Sequence, residues 1–325
     1  MSSRTLNAAP PAIIARPRED LKTIAQQTLS AVKRGFFQVD GDPEGKSHIL
    51  QDLSSEPNST VYINETDLDD WETSHASRKK MKIPTRFVVY QATTIEAIRF
   101  CLSNPVDSST SQAASNVDHT RPVILNFASA TSPGGSFLAG ARAQEESLAR
   151  SSNLHSSLSS ASALPFYAAH RKHPDPRSTH AMVFTRNVRF VRDDAGAWVA
   201  PLDVDVLTSA AVNVNALRKS LHIRGEDTPL PQDTAAEVAA IMRERMARIL
   251  FAMARAGAED IVLGSFGTGA FRNNVEFVAQ TWADLLHGEV APFKNVFRRV
   301  VFAIVDRGTW NLFGEVFEEA GENHE

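Results

Sequence analysis

Two consecutive glutamates, Glu145 and Glu146, stand with Gln144 ten residues after Gly134 in the stretch NFASATSPGGSFLAGARAQEESLARSS. Adjacent carboxylates oppose each other's ionisation, so one of them is expected to keep a proton near neutral pH. A carboxyl in that state is the general acid that cleavage of a glycosidic bond requires. The pair also has a plainer reading, because QEESLARSSNL reads as a helix start and acidic residues in a first turn complement the helix dipole. A second glycine loop, LGSFGTGAFRNN from Leu263, carries Gly264, Gly267 and Gly269 just past an apolar strand and just before a helix. Backbone N–H groups there can approach an anion with no Cβ in the way, which suits a pyrophosphate.

The spacing excludes several chemistries. There is no G-x-x-x-x-G-K-[ST] segment, and neither loop is a G-x-G-x-x-G followed by an acidic residue about 20 positions on. A P-loop ATPase and a dinucleotide dehydrogenase are therefore disfavoured. His170, His173 and His180 in HRKHPDPRSTH lack a zinc spacing with a fourth ligand, and Cys101 is remote, so a polar loop is expected and no metal. Asn58 and Asn64 match N-x-[ST] by chance on this reading. RKKMK (Arg78–Lys82) is read as a solvated turn, with a nuclear address as the other reading.

These loops need strands and helices to position them. PVILNF (Pro122–Phe127) is a continuous apolar run, as expected of a strand buried on both faces. Further strands are expected at Arg86–Ala92, Met182–Arg186, Val204–Ala210, Asp260–Phe266 and Arg298–Asp306, with GFFQVDG and Val61–Asn64 as shorter ones. Apolar residues at three- and four-residue steps predict a helix from Pro17 to about Lys33. Thr93–Leu102 and Asn274–Leu286 also read as helices. The clearest helix is Thr234–Ala256, with a Thr234/Glu237 capping box and Gly257 as its stop. Pro105–Thr120 is a serine-rich loop. Alternating strands and helices predict an α/β fold with a mixed or parallel sheet, and ligands in such sheets sit beyond the carboxyl ends of strands. Residues 1–85 are read as an N-terminal arm and extension, and 86–325 as the main fold.

The chain has 325 residues, 42% of them hydrophobic and 22% charged, with 34 Lys+Arg against 38 Asp+Glu and a formal net charge of −4. That composition excludes a disordered chain and a coiled coil, and it is not that of a general phosphate-backbone binder. No run of 18 apolar residues occurs, so no membrane span is expected. The start of the sequence lacks a secretory apolar region, and one cysteine fits a reducing compartment; an intracellular protein, cytoplasmic or nuclear, is expected.

The stretch VILNFASATSPGGSFLAGARAQEESL resembles the microbial-type poly(ADP-ribose) glycohydrolases, whose pattern is a P-G-G-G loop followed by Q-E-E. LGSFGTGAFRNN is similar to that family's second loop, and FYAAHR, LTSAAVN, RRVVFAIVD and the N-terminal helical stretch look like family blocks. The resemblance runs from about Arg16 to Trp310. It implies a macrodomain-like fold, a mixed sheet sandwiched between helices, with a mainly helical N-terminal extension before residue 86. It also implies hydrolysis of ribose–ribose O-glycosidic bonds in poly(ADP-ribose) or release of ADP-ribose from modified proteins, with no cofactor, no membrane and no sequence-specific nucleic acid.

By position, the resemblance makes Glu146 the catalytic acid and Glu145 the holder of the ribose hydroxyls, with Gln144 bracing the loop. Gly134 and Gly135 would face the diphosphate and distal ribose, and Ser136, Phe137, Asn126 and Gly264 would belong to the binding site. Gly267, Thr268, Gly269 and Ala270 would offer N–H groups to the diphosphate, and Phe271 would pack on the distal ribose. Neighbouring helix residues point about 100° apart, which suggests one acid/base and one positioning residue. Two positions depart from the family pattern. Ser136 stands at the third glycine, where a positive φ or a close ligand would make serine costly, and His155 stands where relatives carry an aromatic. Other readings consistent with the same pocket are a non-catalytic ADP-ribose binder and a mono-ADP-ribosyl hydrolase; a structural α/β protein whose loops are only turns is the reading without a pocket.

Overall fold

Alternate residues of the apolar run at 123–127 go to opposite sides of a sheet. Val123 and Leu125 pack into one buried cluster and Ile124 into another, so the strand is covered on both faces. The computed structural model describes residues 4–6, 17–74, 80–105, 121–172, 174–225 and 228–322. In chain order the elements are β1 (Arg4–Leu6), α1 (Arg18–Arg34), β2 (Phe36–Gln38), β3 (Ser47–Ile49), β4 (Thr60–Ile63), β5 (Arg86–Tyr90), α2 (Thr94–Ser103), β6 (Val123–Phe127), α3 (Gln144–Ser151), α4 (Leu154–Leu158) and α5 (Leu164–Lys172). They continue with β7 (Met182–Arg192), β8 (Trp198–Ser209), α6 (Val214–Ser220), α7 (Gln232–Arg255), β9 (Asp260–Leu263), α8 (Val275–Leu286), β10 (Arg299–Ala303) and α9 (Arg307–Glu322).

Eight strands form one mixed sheet in the order β1-β5-β10-β9-β6-β8-β7-β4. From β1 to β8 every neighbouring pair is parallel; β7 pairs antiparallel with β8 and β4 antiparallel with β7. Helices α2 to α5 cover one face through Ile98, Leu148, Leu158 and Phe166. Helices α6 to α9 cover the other through Leu217, Met246, Trp282 and Phe313. This is the helix–sheet–helix sandwich expected from the alternation of elements. Among the described residues, no helix is long and apolar enough to cross a membrane.

Residues before 86 supply the backbone of one edge strand, β1, and all of the other, β4. Helix α1 lies against α3 and the loop that precedes it, where Ala25, Phe137 and Ala149 form a small buried cluster. Burying Phe137 there contributes about 1.5–3 kcal/mol and ties the loop to α1.

Three element expectations are revised. Helix α7 begins at Gln232 behind Pro231, two residues before Thr234, and no capping box forms. Proline has no N–H to donate and suits a helix start, so the helix begins directly after it. Glu237 instead pairs with Arg177 at 2.9 Å. The capping box that does form is on α2, between Thr93 and Glu96. The strands at Met182 and Val204 are the paired ends of a long hairpin that turns at Asp193–Ala197. Residues 106–120, Arg78, Lys79, His173 and most of the N-terminal arm lie outside the described residues. Both ring nitrogens of His170 are engaged within the fold, Nδ1 with the Phe166 carbonyl at 2.7 Å and Nε2 with the Thr179 amide at 3.0 Å.

Candidate active site

A cavity of about 740 Å³ opens at the carboxyl ends of the parallel strands. Its walls are the segments just past β5 (Thr93–Ile95), β9 (Ser265–Phe271) and β10 (Ile304–Asp306), the end of β6 and its exit (Phe127–Ser129), and Ala211 after β8. The first turn of α3 brings in Gln144, Glu145 and Glu146. The two glycine loops thus meet at one cleft, as their places in the strand order require.

Gln144 fastens α3 to β6. Its Oε1 accepts from the Phe127 amide at 2.8 Å, and its Nε2 donates to the Leu125 carbonyl at 2.7 Å and to Thr94 Oγ1 at 3.2 Å. Glu145 is 3% exposed. Its Oε2 accepts from the Ser129 amide at 2.6 Å and its Oε1 faces Asn126 Nδ2 at 3.3 Å; the Gly134 amide also donates to this carboxyl. Burial nonetheless pushes the Glu145 pKa up to about 8, the amides of Ser129, Asn126 and Gly134 opposing the shift and the charge of Glu146 adding to it. Glu146 accepts from the Ser136 amide at 3.0 Å. Arg150, one turn further along α3, feels both Glu146 and Asp194; its burial lowers its pKa and those two charges work against the shift.

Several placements differ from the expectation. Asn126, Gly134, Gly135, Ser136, Phe137 and Gly264 are not among the residues lining the cavity. The amides of Gly134 and Ser136 are directed at the carboxylates of Glu145 and Glu146 rather than at the cleft. Gly135 has φ +60°, and a Cβ there would run into Glu146 Oε1 and lie 3.1 Å from Glu145 Oε2. Both carboxyl groups therefore converge on one glycine, although their Cα–Cβ directions diverge around the helix. Ser136 has φ −108°, an ordinary conformation for serine, so the missing third glycine introduces no backbone strain. Phe137 is 1% exposed and packs against His155 with ring centroids 4.8 Å apart; it is a core residue. Burial lowers the pKa of His155.

In the second loop, Gly267, Thr268, Gly269, Ala270 and Phe271 line the cavity. The Thr268 amide is already bonded to the Ser265 carbonyl at 3.2 Å, while those of Gly267, Gly269, Ala270 and Phe271 have no acceptor among the described residues. Gly267 adopts φ +74°, and a Cβ on it would lie 2.5 Å from Ala211 Cβ. Gly264 sits behind this loop, its carbonyl accepting from Trp282 Nε1 at 3.1 Å and its Cα facing the Ala303 carbonyl too closely for a side chain.

Sequence reasoning passed over Thr93, Asp194, Arg142 and Leu21, which also line the cavity. The rule that sites lie beyond strand ends, applied to β5, would have found Thr93. Nothing local marks Asp194 or Leu21. The β7–β8 turn brings Asp194 to Thr93 Oγ1 at 2.7 Å, and α1 brings Leu21. Burial raises the Asp194 pKa against the Thr93 hydrogen bond.

The sheet order, the paired loops and the carboxylates at an α3 N-terminus define a macrodomain-like protein with a dinucleotide-sized cleft. Residues 25–193 match the family described as microbial-type PARG, catalytic domain. A poly(ADP-ribose) glycohydrolase from Thermomonospora curvata is 31% identical, with a TM-score of 0.75 over 93% of this chain and 99% of that one. The same enzyme bound to the inhibitor ADP-HPD gives a TM-score of 0.73 at 31% identity over 93% and 99%. The Deinococcus radiodurans glycohydrolase in complex with ADP-ribose is 31% identical, with a TM-score of 0.68 over 82% and 97%. Comparison with curated proteins returns no match. The chain belongs to the microbial-type poly(ADP-ribose) glycohydrolase family.

Proposed function

We propose that this protein hydrolyses the ribose–ribose O-glycosidic bond of poly(ADP-ribose) and releases ADP-ribose, with Glu146 as acid and base. The observation that carries this reading is the convergence of Glu145 and Glu146 on Gly135 at the edge of a cleft whose opposite wall holds acceptor-free amides. Those amides, from Gly267, Gly269, Ala270 and Phe271, suit the diphosphate, and the Phe271 ring suits the apolar face of the distal ribose.

Burial keeps Glu145 protonated up to about pH 8. In the reaction, Glu146 gives a proton to the leaving 2′-oxygen as the glycosidic bond breaks. The distal ribose passes through an oxocarbenium ion, stabilised by the neighbouring diphosphate. Glu146 then takes a proton from the attacking water as the new C–O bond forms, and is returned to its starting state. Glu145, anchored by the Ser129 and Gly134 amides, holds the ribose hydroxyls. Its neutral form places no negative charge beside Glu146.

Residues 1–85 act in this reading as an extension that buttresses α3 and contributes Leu21 to the cavity, while 86–325 carry the catalytic groups. A non-catalytic binder was suggested only by Ser136, whose φ of −108° needs no glycine. The relatives are bacterial proteins, which favours action inside the cell and gives no support to a nuclear role for Arg78–Lys82. The test is Glu146→Gln with labelled polymer. It should bind ADP-ribose within a few-fold of the wild type by calorimetry and release no ADP-ribose; normal turnover by this variant would overturn the mechanism.

A further inference from the structure

Asn126 is fully buried behind Glu145 and outside the cleft. Its Nδ2 lies 3.3 Å from Glu145 Oε1 and 3.3 Å from Thr208 Oγ1, both longer than the usual ~2.9–3.0 Å for N–H···O. Its Oδ1 is buried with no partner. Buried amide oxygens are rarely left so, and the two ends of a carboxamide have nearly the same shape. A half-turn of the amide puts Oδ1 where Nδ2 stands. There its two lone pairs accept from Thr208 O–H and from a protonated Glu145. Thr208, also fully buried, can accept in one arrangement and donate in the other. Asn126 points to the same side of the sheet as Ile124, two residues before it, the side that carries Tyr167 on α5. The Tyr167 hydroxyl is buried, has no partner and is within electrostatic reach of Glu145. It is a second group on that side able to donate or accept.

We propose that Asn126 is a positioning residue acting through Glu145, its carboxamide donating to the Glu145 carboxylate in one orientation and accepting from the neutral carboxyl in the other. This rests on the reading of Glu145 as the holder of the distal ribose. The charged or titratable groups facing Glu145 are Glu146 on its own helix and Tyr167 on α5; β6 and β8 present the neutral Asn126 and Thr208, and the glycine loop presents the Ser129 and Gly134 amides. Asn126 is thus the side chain that can answer a change of charge on Glu145 by turning. The single proton of neutral Glu145 then goes to Asn126, and in both states the carboxyl accepts from the ribose hydroxyls.

The experiment tracks the side-chain amide resonances of Asn126 in wild-type protein labelled with [15N]asparagine, with Glu145→Gln as the control. The Asn126 pair should shift with a midpoint near the Glu145 pKa of about 8 and stay fixed in Glu145→Gln. Resonances that do not move between about pH 6 and about pH 9, or that move equally in Glu145→Gln, overturn the proposal. In parallel, Asn126→Leu removes the partner of both forms, and the ionised form loses the stronger, charge-assisted bond. The alkaline limb of polymer turnover should then move up by about one pH unit; an active variant with an unmoved limb also overturns it. If Asn126→Leu does not fold, the wild-type titration decides alone. That titration needs no turnover, so a wild-type protein that cleaves no polymer refutes the glycohydrolase reading without deciding this one.

Discussion

Glu145 and Glu146 are neighbours in sequence with different surroundings. Glu145 is the deeper of the two at 3% exposure, and its burial outweighs three donors in raising its pKa to about 8. Its folded-state pKa lies above that of the unfolded chain, so the native state binds the extra proton between about pH 4 and about pH 8 and stability declines as pH rises through that window. Glu145→Gln removes the decline. Its Tm should exceed that of the wild type by about 2 °C or more at pH 8 and by progressively less towards pH 5, as measured by calorimetry. Polymer turnover by the wild type should fall above about pH 8, where Glu145 ionises beside Glu146. Gly135→Ala tests the convergence directly. The new methyl group meets the Glu146 carboxylate at a position with φ +60°, and kcat should fall by about a hundredfold while thermal stability drops only modestly.

At the scale of elements, the β7–β8 hairpin reaches one wall of the cleft because it is fastened to α1. Arg192 is 2% exposed; it donates from Nε to Thr28 Oγ1 at 2.8 Å, from one terminal nitrogen to Gln27 Oε1 at 3.0 Å and from the other to the Gly196 carbonyl, and its guanidinium lies 3.6 Å from the centre of the Trp198 ring. Gly196 meets Ile24 so closely that a Cβ would lie 2.5 Å from its Cδ1. Turn and helix are fastened to each other, and they carry Asp194 and Leu21 to the cavity. Arg192→Ala should cost about 3 kcal/mol in denaturant unfolding, through lost hydrogen bonds and lost stacking. Amide exchange should accelerate selectively in α1 and in residues 193–197; uniform acceleration would mean that the two are not one unit.

For the molecule as a whole, a formal net charge of −4 is paired with a polyanionic substrate. On the proposed function, binding depends on oriented amides more than on a basic surface. The affinity for ADP-ribose should change by less than about tenfold between 50 and 200 mM salt, well short of the ~10³–10⁵ loss shown by proteins that hold many phosphates with Lys and Arg. The extension is part of the same body. It supplies β1 and β4 at the two sheet edges and the α1 cover over Phe137. A chain starting at residue 86 exposes that cluster and a long hairpin edge, so it should be recovered aggregated or without a cooperative melting transition.

The central strands, helices α1, α2, α3, α7 and α8, the apolar run of β6 and the pairing of two glycine loops with Gln144-Glu145-Glu146 were legible in the sequence, because burial on both faces and strand-exit loops leave local patterns of a few residues. That local signal also placed both loops at one cleft. It did not reveal that the first loop's amides serve the carboxylates, that Phe137 is core, or that Ser136 sits at φ −108°. Nor did it reach Asp194, Leu21 or the protonation of Glu145. Each of those depends on groups far apart along the chain: Thr93 with Asp194, Asn126 with Glu145, α1 with the β7–β8 turn. Desolvation and hydrogen bonding act through space, and only the packed structure decides which of two neighbouring glutamates lies deeper.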